Sequence, residues 1–220
     1  MKAGPSYILS FFLTLFLLFT VFSCSDTDIN LLNAKGYVLF DYKDSVSKPE
    51  VRLAAFVEVS SEVRRVEAVR VKHISSQMEW NCLSPLIFSD SKRQWAGYSD
   101  FVSPEGMLIP EGIYDFSYMD AQKNEENLSF NISYNEYLAE GNLDTLKKYS
   151  LDNKKETIVI YSETDSIIYH GPKKQNWSDE KKIFLSNKGS KYFRYVYSEV
   201  TENAMYLMPP VYRENIENNN

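Results

Sequence analysis

The chain has 220 residues, 44% hydrophobic and 15% aromatic, which excludes a disordered polymer and supplies a packed core for one or two domains. Twenty-four basic residues face 30 acidic ones for a formal charge of −6, and basic clusters such as Lys147-Lys148 and Lys173-Lys174 are no longer than dipeptides. That balance gives no general attraction for phosphate backbones, so nucleic acid is not an expected partner.

The first element in chain order is an apolar run from Ile8 to Phe22, preceded by Lys2. It is shorter than the about 20 residues that cross hydrocarbon, and it fits the apolar region of a secretory signal over residues 1–23. Removing that segment deletes only Lys2 from the charged residues and takes the formal charge to −7. The run closes on Val21-Phe22-Ser23-Cys24: an aliphatic residue three positions before a cysteine, a small residue just before it, then Ser25 and Asp26. This stretch resembles the lipobox of bacterial lipoproteins. The resemblance implies cleavage after Ser23, diacylglycerol on the Cys24 thiol and acylation of the new amino group. The chain would then be held to a lipid bilayer, because each buried CH₂ contributes about 0.8 kcal/mol and two or more chains anchor stably. An ordinary secretion signal with an incidental cysteine, or an uncleaved N-terminal anchor, are the alternatives. With Cys24 acylated, Cys82 has no intramolecular partner and a disulfide framework is excluded. Between Trp80 and Leu83, Cys82 reads as a small buried apolar residue.

Residues 24–34 read as a lipidated tether. From Lys35, "GYVLFDYK" is a strand candidate, followed by a turn at "DSVSKP" and by "VRLAAFVEVS", where Leu53, Ala55, Val57 and Val59 share a face. In "EVRRVEAVRVKHI" the apolar phase shifts between Ala68 and Val69, which predicts a strand with a bulge. "MEWNC", "QWAGYSDF" and "GMLIP" are further short strand candidates. The clearest hairpin pairs "IYDFSYM", with Tyr114, Phe116 and Tyr118 on one face, with "NLSFNISY", where Leu128, Phe130, Ile132 and Tyr134 alternate with Ser129, Asn131 and Ser133. Strands every 8–12 residues suggest a sandwich. "IPEGIYDFSY" resembles the late-strand region of immunoglobulin-like and fibronectin-type domains, where a Pro/Gly turn leads into a strand whose early tyrosine hydrogen-bonds back to the turn. The resemblance implies a sandwich over 35–137 with Tyr114 as that tyrosine, and it implies no ligand.

Past Tyr137 the pattern changes to a smaller unit over 138–213. It has a short helix at "EGNLDTLKKYS" capped by Asn142, buried strands at "ETIVIYS" and "SIIYHGP", a helical turn at "SDEKKIFLS", and a strand pair at "KYFRYVYS" and "NAMYLMPPVY". Residues 214–220 read as a disordered polar tail. The fold expected is therefore mainly β: an immunoglobulin-like antiparallel β-sandwich followed by a smaller β-rich mixed α+β unit.

Motifs that carry chemistry are sparse. The two histidines, His73 and His170, lack further ligands at metal-binding spacing, and they read as a strand-surface residue and a turn-adjacent one. No Gly-x-Ser-x-Gly, P-loop or dinucleotide fingerprint occurs. The acidic loop Asp120–Glu126 lacks the alternating carboxylates and central glycine of a calcium loop. Tyr192, Tyr195 and Tyr197 split between core packing and an exposed recognition face. No catalytic residue, metal or cofactor is implied. The expected function is that of a bacterial cell-envelope lipoprotein, periplasmic or surface-exposed, acting as a non-enzymatic binding or structural module. Its partners would be the bilayer through acylated Cys24 and an envelope protein or glycan. A lipid-anchored hydrolase using carboxylates and an accessory subunit of an envelope complex are the alternatives. The enzyme reading requires a cleft with convergent acids or histidine, and the binding reading an exposed aromatic or apolar patch.

Overall fold

Alternating apolar residues write most of the strands. The computed structural model describes residues 29–60, 63–105, 107–148, 154–199 and 202–217. Along the first part run β1 (Leu31–Asp41), β2 (Glu50–Val59), β3 (Val66–His73), β4 (Glu79–Cys82), β5 (Leu86–Asp90), β6 (Arg93–Phe101), β7 (Gly112–Asp120) and β8 (Glu125–Ile132). The second part holds α1 (Tyr137–Glu140), α2 (Leu143–Lys148), β9 (Lys155–Ser162), β10 (Ile167–Gly171), α3 (Glu180–Ser186), β11 (Ser190–Ser198), β12 (Ala204–Leu207), β13 (Val211–Tyr212) and α4 (Arg213–Glu217). The protein is mainly β, as its alternation predicts.

Two sheets form. One runs β10-β9-β11-β12-β1-β2-β6-β5, with β13 also on β11, and the other runs β4-β3-β7-β8. Among the described residues every pairing is antiparallel except β1 with β12, which is parallel from Val38 opposite Ala204 to Asp41 opposite Leu207. The inward residues of β1 and β2, Val38, Phe40, Leu53 and Val57, pack with Val71, Phe116, Phe130 and Ile132 of the second sheet in one buried cluster. At Gly36 the sheets come so close that a Cβ would lie 2.2 Å from the Phe130 ring. The β7–β8 register sets Tyr114 opposite Phe130, and their rings stack at 5.3 Å. The Tyr114 hydroxyl donates to the Pro110 carbonyl at 2.5 Å, the bond back to the turn that the resemblance implies.

A second cluster, Ile158, Ile160, Trp177, Ile183, Phe184 and Phe193, lies in the later part of the chain. Asp179 caps α3 by accepting the Lys182 N–H, and Asn142 Oδ1 accepts the Thr145 N–H at the start of α2. The sequence boundary at 137/138 does not divide the sheet: β12 continues it at β1, and Leu138, Ala139, Leu143 and Leu146 join the sandwich core. The junction is locked by charge. Arg194 of β11 donates through Nη2 to Asp41 Oδ1 at 2.5 Å and to the Tyr42 carbonyl at 3.0 Å, and through Nε to the Met208 carbonyl at 2.6 Å. Arg52 and Lys43 each reach Asp41 Oδ2 at 2.8 Å. Burial alone pushes the Asp41 carboxyl up, but the hydrogen bonds and charges of Arg194 and Lys43 outweigh it and hold the group below its ordinary 3.8.

Several expectations need correction. The tether does not extend to residue 34, because β1 begins at Leu31 and already pairs with Val59. "GMLIP" is not a strand: Met107 to Pro110 have no regular structure. Of the polar tail, residues Arg213–Glu217 form α4, whose Ile216 packs on the second cluster. β10 is an exposed edge strand rather than a buried one, with Ile167 and Ile168 facing solvent. β3 does carry a bulge, but between Val66 and Ala68 rather than at the expected shift between Ala68 and Val69, where the register is continuous. His73 shares the inward face of Val69 and Val71 and is buried, not on the surface.

Cys82 is buried at the end of β4, opposite Val69. Its thiol is expected to react with a small maleimide far more slowly in the native protein than after unfolding in urea; equal rates by mass spectrometry would show that the site is open.

Candidate functional site

The outer face of the larger sheet carries an aromatic cluster built by three strands. Glu58 lies opposite Trp95, and Trp95 opposite Phe88, so side chains of β2, β6 and β5 line up across the sheet. Phe56 meets Phe88 edge-on at 5.3 Å, and Phe88 stacks near-parallel on Trp95 at 6.4 Å. Gly97 makes this possible: a Cβ there would lie 2.5 Å from the Phe56 ring and 2.1 Å from the Ala55 carbonyl oxygen. The Lys35 ammonium of β1 sits 5.5 Å above the Trp95 ring, a cation–π contact. Trp95 is thereby only 6% exposed, whereas Leu86, Ile87 and Phe88 of β5 remain 48%, 42% and 45% exposed.

Among the described residues no strand pairs with the far edge of β5, so three consecutive large apolar residues lie on an open sheet edge. Such an edge is either a liability or an interaction surface, since its free N–H and C=O groups accept another strand or polar headgroups. The β5–β6 connection is a two-residue turn, with Ser91 and Lys92 both at positive φ (47° and 75°) between Asp90 and Arg93. This is the hairpin geometry that matches sheet twist, adopted without the glycine that usually fills it. Lys92 and Arg93 are exposed at its tip.

At the opposite end of the sandwich, a cavity of about 520 Å³ is lined by Leu108, Tyr134, Tyr137 and the carboxylates of Glu111, Glu136 and Glu140. Glu111 Oε1 accepts the Tyr134 N–H at 2.7 Å, and Lys48 pairs with Glu140 at 3.2 Å. Burial, then the charges of Glu136 and Glu111, push the Tyr134 phenol up, and its hydroxyl donates to the Ile109 carbonyl at 2.6 Å. No group of three or more metal-type ligands is assembled among the described residues.

The residues singled out from sequence fall as follows. Cys24 lies outside the described residues. His73 is buried beside Tyr114, its Nδ1 2.7 Å from Ser76 Oγ and its Nε2 2.9 Å from the Glu111 carbonyl oxygen, so it ties the β3–β4 turn to the loop before β7. His170 is exposed on β10. In the acidic loop, Asp120 accepts the N–H groups of Gln122 and Asn124, which shapes the β7–β8 turn. Tyr195 and Tyr197 pack against the sandwich core, and Tyr192 stacks on Tyr161 at 4.6 Å on the other face. Sequence reading passed over β5, although "PLIFSDSK" carries its signal: an apolar triplet before a polar two-residue turn. No family model matches the chain, and no curated protein matches it. No helix among the described residues is long and apolar enough to cross a membrane.

Proposed function

We propose that the protein is a bacterial cell-envelope lipoprotein, anchored through acylated Cys24, whose immunoglobulin-like sandwich acts as a non-enzymatic binding module. The strand order β1-β2-β6-β5 facing β4-β3-β7-β8, with the Tyr114 bond at the start of β7, supports the sandwich class. The observation that carries the binding reading is the exposed pair Leu86 and Phe88 on an open edge beside Phe56 and Trp95, with Ile87 exposed on the other face of the same strand. Solvent-exposed apolar groups gathered on one hairpin mark contact surfaces. Replacing Leu86 and Phe88 together by serine is the test: crosslinking in cells should lose its products while the thermal unfolding midpoint is held. Unchanged crosslinking would overturn the assignment of this face.

Anchoring has its own check. The intact mass of the mature protein should show loss of residues 1–23 and added acyl mass at Cys24, and a Cys24→Ala chain should leave the membrane fraction. A mature N-terminus at any other residue overturns it.

One observation favours a second reading. Three carboxylates line the cavity of Glu111, Glu136 and Glu140 beside two tyrosines, a setting in which acid–base hydrolysis operates. In that case Glu136→Gln would abolish turnover of an envelope polymer and leave folding intact.

A further inference from the structure

We propose that the β5–β6 hairpin rests on the bilayer to which the chain is tethered, with Phe88 and Leu86 reaching the boundary between headgroups and acyl chains. This deepens the binding reading above and rests on acylation of Cys24. Two geometric facts carry it. The Asn30 carbonyl already accepts the Ser60 N–H, so only six peptide steps separate Cys24 from the folded sheet, a reach of at most about 20 Å. Leu31 pairs with Val59, Val59 with Gln94, and Gln94 with Ser89, so the end of β5 lies three strand spacings, about 14 Å, from the point of entry.

The chain therefore enters at the same end of the sheet as the hairpin tip. The β1–β2 turn lies about 33 Å away along β1. An anchored molecule with so short a tether keeps the hairpin end within reach of headgroups and the β1–β2 end away from them. The chemistry of the hairpin suits that boundary. Aromatic and apolar side chains of β5 sit beside Lys35, Lys92 and Arg93, whose long stems let the charges stay in water. Asp90 and Glu58, the latter 4.0 Å from Arg93, leave one net positive charge on this face. Apolar insertion and the tether carry the contact, and charge adds little.

The test uses the acylated full-length protein in vesicles of phosphatidylethanolamine and phosphatidylglycerol containing a bromine-labelled acyl chain. A fluorophore is placed at Ser91→Cys, or at Val46→Cys in the exposed β1–β2 turn, in a Cys82→Ala background. The Ser91 label should be quenched several-fold more than the Val46 label, and raising salt should change this little. Adding Leu86→Ser and Phe88→Ser should lower the quenching at Ser91 several-fold while acyl mass and unfolding midpoint persist, and quenching at Ser91 unchanged by the pair would overturn the insertion. An acylated chain with equal quenching at both positions overturns the proposal and leaves anchoring intact. A protein crosslink from position 88 in place of lipid overturns it but keeps this face as a binding surface. A mature chain without acyl mass overturns both.

Discussion

Asp41→Asn is expected to destabilise the protein by about 3–5 kcal/mol, read as a shift in the urea unfolding midpoint. The carboxylate is buried, and so is the Arg194 guanidinium facing it. Removing the negative charge leaves a cation enclosed by the carbonyls of Tyr42, Leu207 and Met208 with no counter-ion at 2.5 Å. Replacing both partners by apolar groups removes the orphaned charge along with the pair. Asp41→Leu with Arg194→Met should therefore be less damaging than Asp41→Asn alone. A double variant as damaging as the summed singles would show that the two residues act independently. The pH dependence has a definite sign. The folded pKa of Asp41 lies below its unfolded value of 3.8, so its contribution is complete above that value and is lost as pH falls through the folded pKa. The stability gap between wild type and Asp41→Asn should stay constant from neutral pH to about pH 5 and narrow only under acid conditions.

Phe130→Ala is expected to cost about 3–5 kcal/mol, whereas Asn131→Ala, on the wet face of the same strand, should stay within about 0.5 kcal/mol. Phe130 stacks on Tyr114 and closes over Gly36, whose missing Cβ is the space the ring fills. The same contact makes the pair non-additive. Gly36→Ala alone forces the ring away, but in a Phe130→Ala background the new methyl enters the vacated space, so the double variant should be more stable than the summed singles by more than about 0.5 kcal/mol. Equal small losses at 130 and 131 would mean that the β7–β8 register is shifted by one residue.

These two results probe different depths of sequence information. The Phe130 face was legible because β7 and β8 alternate strictly and share a short polar link, so period and turn determine the pairing together. An irregularity in β3 was legible as a phase shift, but its place was not: the shift was read between Ala68 and Val69, and the bulge lies between Val66 and Ala68. His73 continues the inward face of Val69 and Val71, and reading it as a surface residue failed because a polar side chain at a strand end is buried only where partners meet it, here Ser76 and the Glu111 carbonyl. Nothing local in "FDYK" or "YFRY" couples Asp41 to Arg194; the two meet only after β12 docks on β1. On the candidate surface, Trp95 and Phe56 were visible as strand residues. Their outward direction and the open edge of β5 are properties of strand order, which pattern along the chain does not encode.

The parallel pairing of β1 with β12 also sets the order of folding. β1 is synthesised long before β12, and Val38 cannot meet Ala204 until every strand between them has been made. Contacts of such long sequence separation slow folding. Until they form, β1 carries an unpaired edge on a sheet already pairing through β2, which is the geometry that recruits strands from other molecules. A chain ending before Ala204 would keep that edge for good. Its expected fate is aggregation rather than a smaller soluble sandwich, and a trailing segment that looks like an appendage acts as the guard on the first strand's backbone.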